Sequence, residues 1–157
     1  MKTLSLDLSI NCPGWCVSDG DQYITSGFTP QVNTKLGVYK RIEANIKLLA
    51  RLIDQYDIKI VYMEDTAPSG RGKTSKMLTE QAGIVKYWCF ERNIPVGAIS
   101  ITDIKKTVSG KGNATKEEMI AAVQAKGYPS VDQNDEADAI ATWLTSLDKF
   151  GIETVNL

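Results

Sequence analysis

Histidine is absent from the 157-residue chain. That absence removes Ser-His-Asp and Cys-His nucleophilic sites and every histidine-ligated metal. Any catalysis has to run on carboxylates, lysines, hydroxyls or a metal held by oxygen. Cysteine is scarce. Cys12, Cys16 and Cys89 have no His and no second Cys pair beside them. They make no zinc site and are expected as small apolar filler in a reducing compartment. Long apolar runs are missing as well; none approaches the ~20 residues that span a bilayer. The opening MKTLSLDLSINCPGW has one Lys and is interrupted by Asp7, which is not the pattern of a signal peptide, so a cytoplasmic protein is expected. Internal repeats, low-complexity tracts and linkers are also lacking. Residues 1–157 are therefore expected to form a single domain with one sizeable core.

Net charge is only −1, yet the charges are unevenly spread. Residues 71–116 hold nine Lys/Arg and three Asp/Glu, a net of +6, which leaves −7 for the remainder. A basic middle with acids gathered elsewhere suits a protein that attracts phosphates and concentrates carboxylates at one place.

Periodicity supplies the elements. TLSLDLS, 3–9, sets Leu4, Leu6 and Leu8 against Ser5, Asp7 and Ser9, the period of a strand. Two further apolar runs, 15–18 and 22–28, flank Asp19-Gly20, a hairpin signal. A helix is expected over about 34–56, where Ile42, Ile46, Leu49 and Ile53 recur at helical spacing. KIVYM, 59–63, reads as a buried strand after a crossover. A helix at 75–92, a strand at 95–100 and a short helix at 102–108 follow. Thr115 with Glu118 forms a capping box that opens a helix to about Lys126. The last helix, about 134–149, carries Ala137, Ile140, Ala141, Leu144 and Leu147 on one side, and Gly151 closes it. Three strands followed by alternating units imply an α/β domain: a mixed five-stranded sheet with helices on both faces, in the order of the ribonuclease H-like fold. Fold alone names no activity.

The acids fall at informative places. Asp7 is expected in the middle of the first strand, where an unpartnered buried charge costs several kcal/mol. Glu64 ends the fourth strand. Asp135 and Asp138 lie three apart on the last helix and share a face. Neighbouring strands can present Asp7 and Glu64 side by side, with the last helix laying Asp135 and Asp138 across them. Four carboxylates so placed repel one another unless cations bind. Mg²⁺ takes oxygen ligands and keeps water, and Mn²⁺ can substitute for it. Two such ions about 3.5–4 Å apart serve phosphodiester hydrolysis without histidine.

On "SLDLS" around Asp7, "VYMED" around Glu64, "IKKTVSGKGNATKEE" over 104–118 and "DEADAIA" over 135–141, the chain resembles RuvC-type Holliday junction resolvases of the small phage-encoded kind. The resemblance covers nearly the whole chain and is strongest in the last two segments. It implies Asp7, Glu64, Asp135 and Asp138 as metal-binding acids, and Lys105 and Lys116 as lysines near the scissile phosphate. It also implies a homodimer that cuts two symmetric strands of a four-way junction, in a host cytoplasm if phage-encoded. Many members carry an aromatic residue three positions after the Glu; here that position is Ala67. Cleavage is therefore expected to follow branch shape, including three-way and fork DNA, more than base sequence.

Other readings compete. Ala67–Thr74 nearly matches G-x-x-x-x-G-K-[ST], a phosphate-cradling nucleotide loop. Ala67 stands where the first Gly should be, and Glu64-Asp65-Thr66 separates it from the strand, where acids would repel a triphosphate. No nucleotide cofactor is expected. Arg71, Lys73 and Lys76 read better as DNA phosphate contacts, together with Lys105, Lys106, Lys111 and Lys116. A related nuclease acting on RNA or flaps, and a non-catalytic branched-DNA binder, remain open on the sequence.

Overall fold

The computed structural model describes residues 1–30, 35, 37–65 and 73–151, with Lys73 described by its backbone alone. Strands β1 (Lys2–Asp7), β2 (Gly14–Asp19) and β3 (Gln22–Phe28) come first, followed by α1 (Val38–Tyr56), β4 (Ile60–Glu64), α2 (Lys73–Phe90) and β5 (Val96–Ile99). Helices α3 (Ile101–Ser109), α4 (Lys116–Ala125) and α5 (Asn134–Phe150) complete the described chain. The sheet runs β3-β2-β1-β4-β5. The first three strands are antiparallel, and Gly20 takes φ 58° in the Asp19-Gly20 turn. Strands β4 and β5 join parallel, through the crossovers that α1 and α2 provide. This is the mixed five-stranded sheet of the ribonuclease H-like fold.

Both faces of the sheet are covered, and strand alternation decides which residue goes where. Leu4, Leu6, Val17, Val61 and Met63 point to one side, against Leu48, Leu49 and Leu52 of α1 and Ala82, Val85 and Cys89 of α2. Cys16, Ile60, Tyr62 and Ile99 point to the other, against α3, α4 and α5. Complete burial of a side chain such as Ile140 or Trp143 contributes about 1.5–3 kcal/mol. Helix α5 is the centre of this second layer. Trp143, 2% exposed, packs beside Tyr23 and Tyr128 and donates its Nε1–H to the Gly20 carbonyl at 3.2 Å. The helix is thereby pinned across the hairpin, and its first turn meets the ends of β1 and β2.

Two boundaries differ from expectation. The first helix begins at Val38, not near 34, because Gly37 is extended (φ −58°, ψ 153°) and serves as its N-cap. Asp7 is the last residue of β1, not its middle. Its pairing with β2 ends at Gly14, and β4 pairing is last registered at Leu6 and Met63. Leu8 keeps the alternation and is buried, but the backbone has left the ladder.

Candidate active site

The register brings the first two acids together. Leu6 pairs with Met63 in the parallel β1–β4 ladder, so the residues that follow, Asp7 and Glu64, end adjacent strands. By alternation both belong to the face that α5 covers. Gln133 caps that helix, its Oε1 accepting from the N–H groups of Asp135 at 2.6 Å and Glu136 at 3.2 Å. The first turns then carry Asp135 and Asp138 over the strand ends. Gln133 Nε2 donates to Asp135 Oδ2 at 2.8 Å, and Asn134 Nδ2 donates to Asp138 Oδ2 at 2.9 Å.

Electrostatics show that the four acids share one environment. Burial raises Asp7 well above the ordinary aspartate range; the charges of Asp138 and Asp135, a hydrogen bond with Asp135, and the charge of Glu64 push the same way. Asp138 is raised to about 6, chiefly by burial and further by Asp135, against the opposing Asn134 hydrogen bond and the charges of Lys105 and Lys116. Glu64 is raised by burial and by Asp138, with Lys105 opposing. Protonation is how such a cluster relieves itself when no cation is near.

Lys105 and Lys116 are the cations that this cluster feels. Lys105 Nζ donates to the Ala114 carbonyl at 2.8 Å, which ties α3 to the entry of α4. Lys116 follows Thr115, whose Oγ1 accepts from Glu118 N–H at 3.2 Å while Glu118 Oε2 accepts from Thr115 N–H at 2.9 Å, the expected capping box. The remaining expected DNA contacts are placed less uniformly. Lys106 and Lys76 are exposed, on α3 and α2. Lys111 is exposed and pairs with Glu118 at 2.8 Å. Solvent screens an exposed pair of this kind, so it yields readily to a phosphate. Arg71, the Lys73 side chain and the Ala67–Gly72 part of the nucleotide-loop pattern lie outside the described residues.

Sequence reasoning missed three positions. Gly14 lies directly beneath the first turn of α5, and a Cβ there would fall 1.8 Å from the Asp135 carbonyl oxygen. Glycine inside a strand can mark such a close backbone approach, which was the available signal. Gln133 and Asn134, which orient the two α5 acids, had no signal beyond a polar run before the helix. Cys12 also departs from expectation. Cys16 and Cys89 are buried filler, but Cys12 is half-buried, faces Gln133 Nε2 at 3.7 Å and has its thiol raised by burial and by Asp135.

Among the described residues, no three acid or cysteine side chains close on one point as a finished metal cage. The donor set is nonetheless all oxygen, and burial, with the charges of the neighbouring acids, raises three of its members. An open carboxylate cluster fits Mg²⁺, which keeps several waters and uses one or two protein carboxylates.

The model of the family "Crossover junction endodeoxyribonuclease RuvC" matches residues 16–146. The chain belongs to the RuvC family. Relatives bearing that name are 26% identical in Rickettsia akari (90% of this chain, 93% of the relative) and 28% identical in Rickettsia prowazekii (94% and 97%). The solved structure of Thermus thermophilus RuvC with a Holliday junction substrate superposes with a TM-score of 0.75 at 20% identity, covering 92% of each chain. These bacterial RuvC relatives lend no support to the phage origin expected from the sequence.

Proposed function

We propose that this protein is a metal-dependent endodeoxyribonuclease that resolves four-way DNA junctions by paired phosphodiester hydrolysis as a homodimer. One observation supports the reading beyond family membership: Asp7 and Glu64 end neighbouring strands, α5 opens over those ends with Asp135 and Asp138, the charges of the other three acids raise Asp7, and those of Lys105 and Lys116 oppose the rise in Asp138. Asp7, Glu64, Asp135 and Asp138 would hold two divalent ions. Such ions supply a water of lowered pKa and charge for the leaving oxygen. Gln133 and Asn134 keep the α5 carboxylates oriented. Lys105, fixed by the Ala114 carbonyl, and Lys116 offset the charge of the phosphate as it develops. Three-way and fork DNA are included in the substrate range. No helix among the described residues is long and apolar enough to cross a membrane, and a cytoplasmic site of action fits this reading.

Two symmetric cuts require two copies. Ile84, Tyr87 and Phe90 expose apolar surface at three-residue spacing along α2, the last two at 62% and 76%, and a second copy would cover that stripe.

The test is cleavage of matched four-way, three-way, flap and RNA–DNA substrates by wild type and Asp7→Asn, with and without Mg²⁺ or Mn²⁺. Wild type should cut the four-way junction only with metal. Asp7→Asn should bind it undiminished and leave it intact. Wild-type cutting by Asp7→Asn would remove the metal-site assignment, and preference for RNA–DNA would replace the substrate.

A further inference from the structure

A cavity of about 290 Å³ opens beside the acids. Asp7 and Asp135 form the wall it shares with the candidate active site; Lys116 and Thr74 line it, and Arg41 and Asn11 close it on the α1 side. Arg41 has no place in the mechanism above, and its surroundings are unusual. Its Nη1 donates to Asn11 Oδ1. Its Nε is shut off from solvent and meets no acceptor. No ion pair among the described residues includes it. A guanidinium half-sunk in the protein with an orphaned donor and no carboxylate is costly unless an anion completes it.

The platform under Arg41 is built and rigid. One helical turn further along α1, Asn45 is 7% exposed and donates to the Ser9 carbonyl at 3.3 Å and to Gln81 Oε1 at 3.1 Å. Gln81, wholly buried on α2, donates to the Leu8 carbonyl at 3.1 Å. This amide network fastens α1 and α2 to the segment that leaves Asp7. The helix that carries Arg41 is therefore tied, one turn away, to the segment that joins Asp7 to Asn11, which is what a positioning site requires.

We infer that Arg41, oriented by Asn11, binds a non-scissile phosphodiester of the strand being cut, one that neighbours the scissile phosphate, and thereby registers that strand over the acids. This rests on the proposed nuclease reading. The guanidinium fork matches a phosphate's paired oxygens, and the shared wall places the bound group next to the reacting one. Arg41 is a positioning residue: it touches the neighbouring phosphate and no reacting atom.

The experiment is a walk of single neutral methylphosphonates along the cut strand of a four-way junction, read as single-turnover rate at saturating protein. In wild type, one position adjacent to the scissile phosphate should cost roughly ten- to hundredfold, the range of a charge-assisted hydrogen bond. Arg41→Gln should lose a similar factor on the unmodified junction and little more when that phosphate is neutralised, while Arg41→Lys recovers part of the rate. Equal methylphosphonate penalties in wild type and Arg41→Gln would overturn the inference, as would a defect that follows an abasic substitution and not the phosphate. Should Arg41→Gln melt early, Asn11→Ala, which keeps the cation and removes its orienting amide, must show a smaller loss confined to the same phosphate. An inert wild type would refute the nuclease reading instead. Junction affinity across the same substrates would then still show whether Arg41 and one phosphate are coupled.

Discussion

Gly14→Ala should separate the two halves of the active site. Gly14 pairs with Asp7 at the end of the β1–β2 ladder, and α5 rests on it with no side chain between. A Cβ would lie 1.8 Å from the Asp135 oxygen, 2.2 Å from its carbonyl carbon and 2.9 Å from Glu136 N. All three are backbone atoms, so no rotamer change relieves the clash. Reaching even 3.0 Å requires a retreat of about 1.2 Å in a close-packed interior. Farther along, α5 is held by Ala137, Ile140, Ala141 and Trp143, each at most 2% exposed, so the movement falls on its first turn. Asp135 and Asp138 then leave Asp7. Overpacking of this kind costs about 1–3 kcal/mol, and a misplacement near 1 Å costs roughly a hundredfold in rate. Single-turnover cleavage at saturating protein, paired with urea unfolding, reads both. The expected result is a rate down about a hundredfold, an earlier urea midpoint and near-wild-type junction affinity, since the basic residues of α2 and α3 are untouched. Wild-type rate and midpoint together would show that α5 does not need this close approach.

Stability should depend on pH in a direction set by the acids. Asp7, Glu64 and Asp138 have folded-state values above their unfolded ones, so their favourable contribution is complete below the unfolded range and is lost as pH rises through the folded value, about 6 for Asp138. Thermal unfolding in EDTA should therefore fall between pH 5 and about 7, Asp7→Asn should flatten that fall, and Mg²⁺ should raise the midpoint more at pH 8 than at pH 5; a midpoint that climbs over this window would contradict the repulsive cluster. Lys116→Ala should slow single-turnover cleavage at saturating protein, whereas Lys76→Ala should weaken binding and flatten its salt dependence; an affinity-only defect in Lys116→Ala would leave it a surface lysine. Tyr87→Ser with Phe90→Glu should yield a monomer by light scattering that nicks junctions without paired cutting, and an unchanged dimer would move the interface off α2.

Much of this molecule was legible because its signals are local. The Leu4, Leu6, Leu8 alternation, the Asp19-Gly20 turn, the Thr115–Glu118 capping box and the shared face of Asp135 and Asp138 depend on neighbours within a few positions. Backbone geometry turns such spacings into elements directly. The four acids could be singled out because a carboxylate within a strand, another at a strand end and two on one helix face need a reason to be there. Contacts between distant segments were not legible. Where β1 stops was decided by which residues of β2 and β4 lie opposite it. The approach of Asp135 to Gly14, the grip of Asn45 and Gln81 on the segment after Asp7, and the meeting of Arg41 with Asn11 join positions far apart in the chain through polar atoms or bare backbone. Hydrophobic periodicity records which face of an element is buried and says nothing of which polar atom it will meet. Sequence alone determined the elements and the chemistry on offer; only the packing of α1, α2 and α5 onto the ends of the strands decided how those groups face one another.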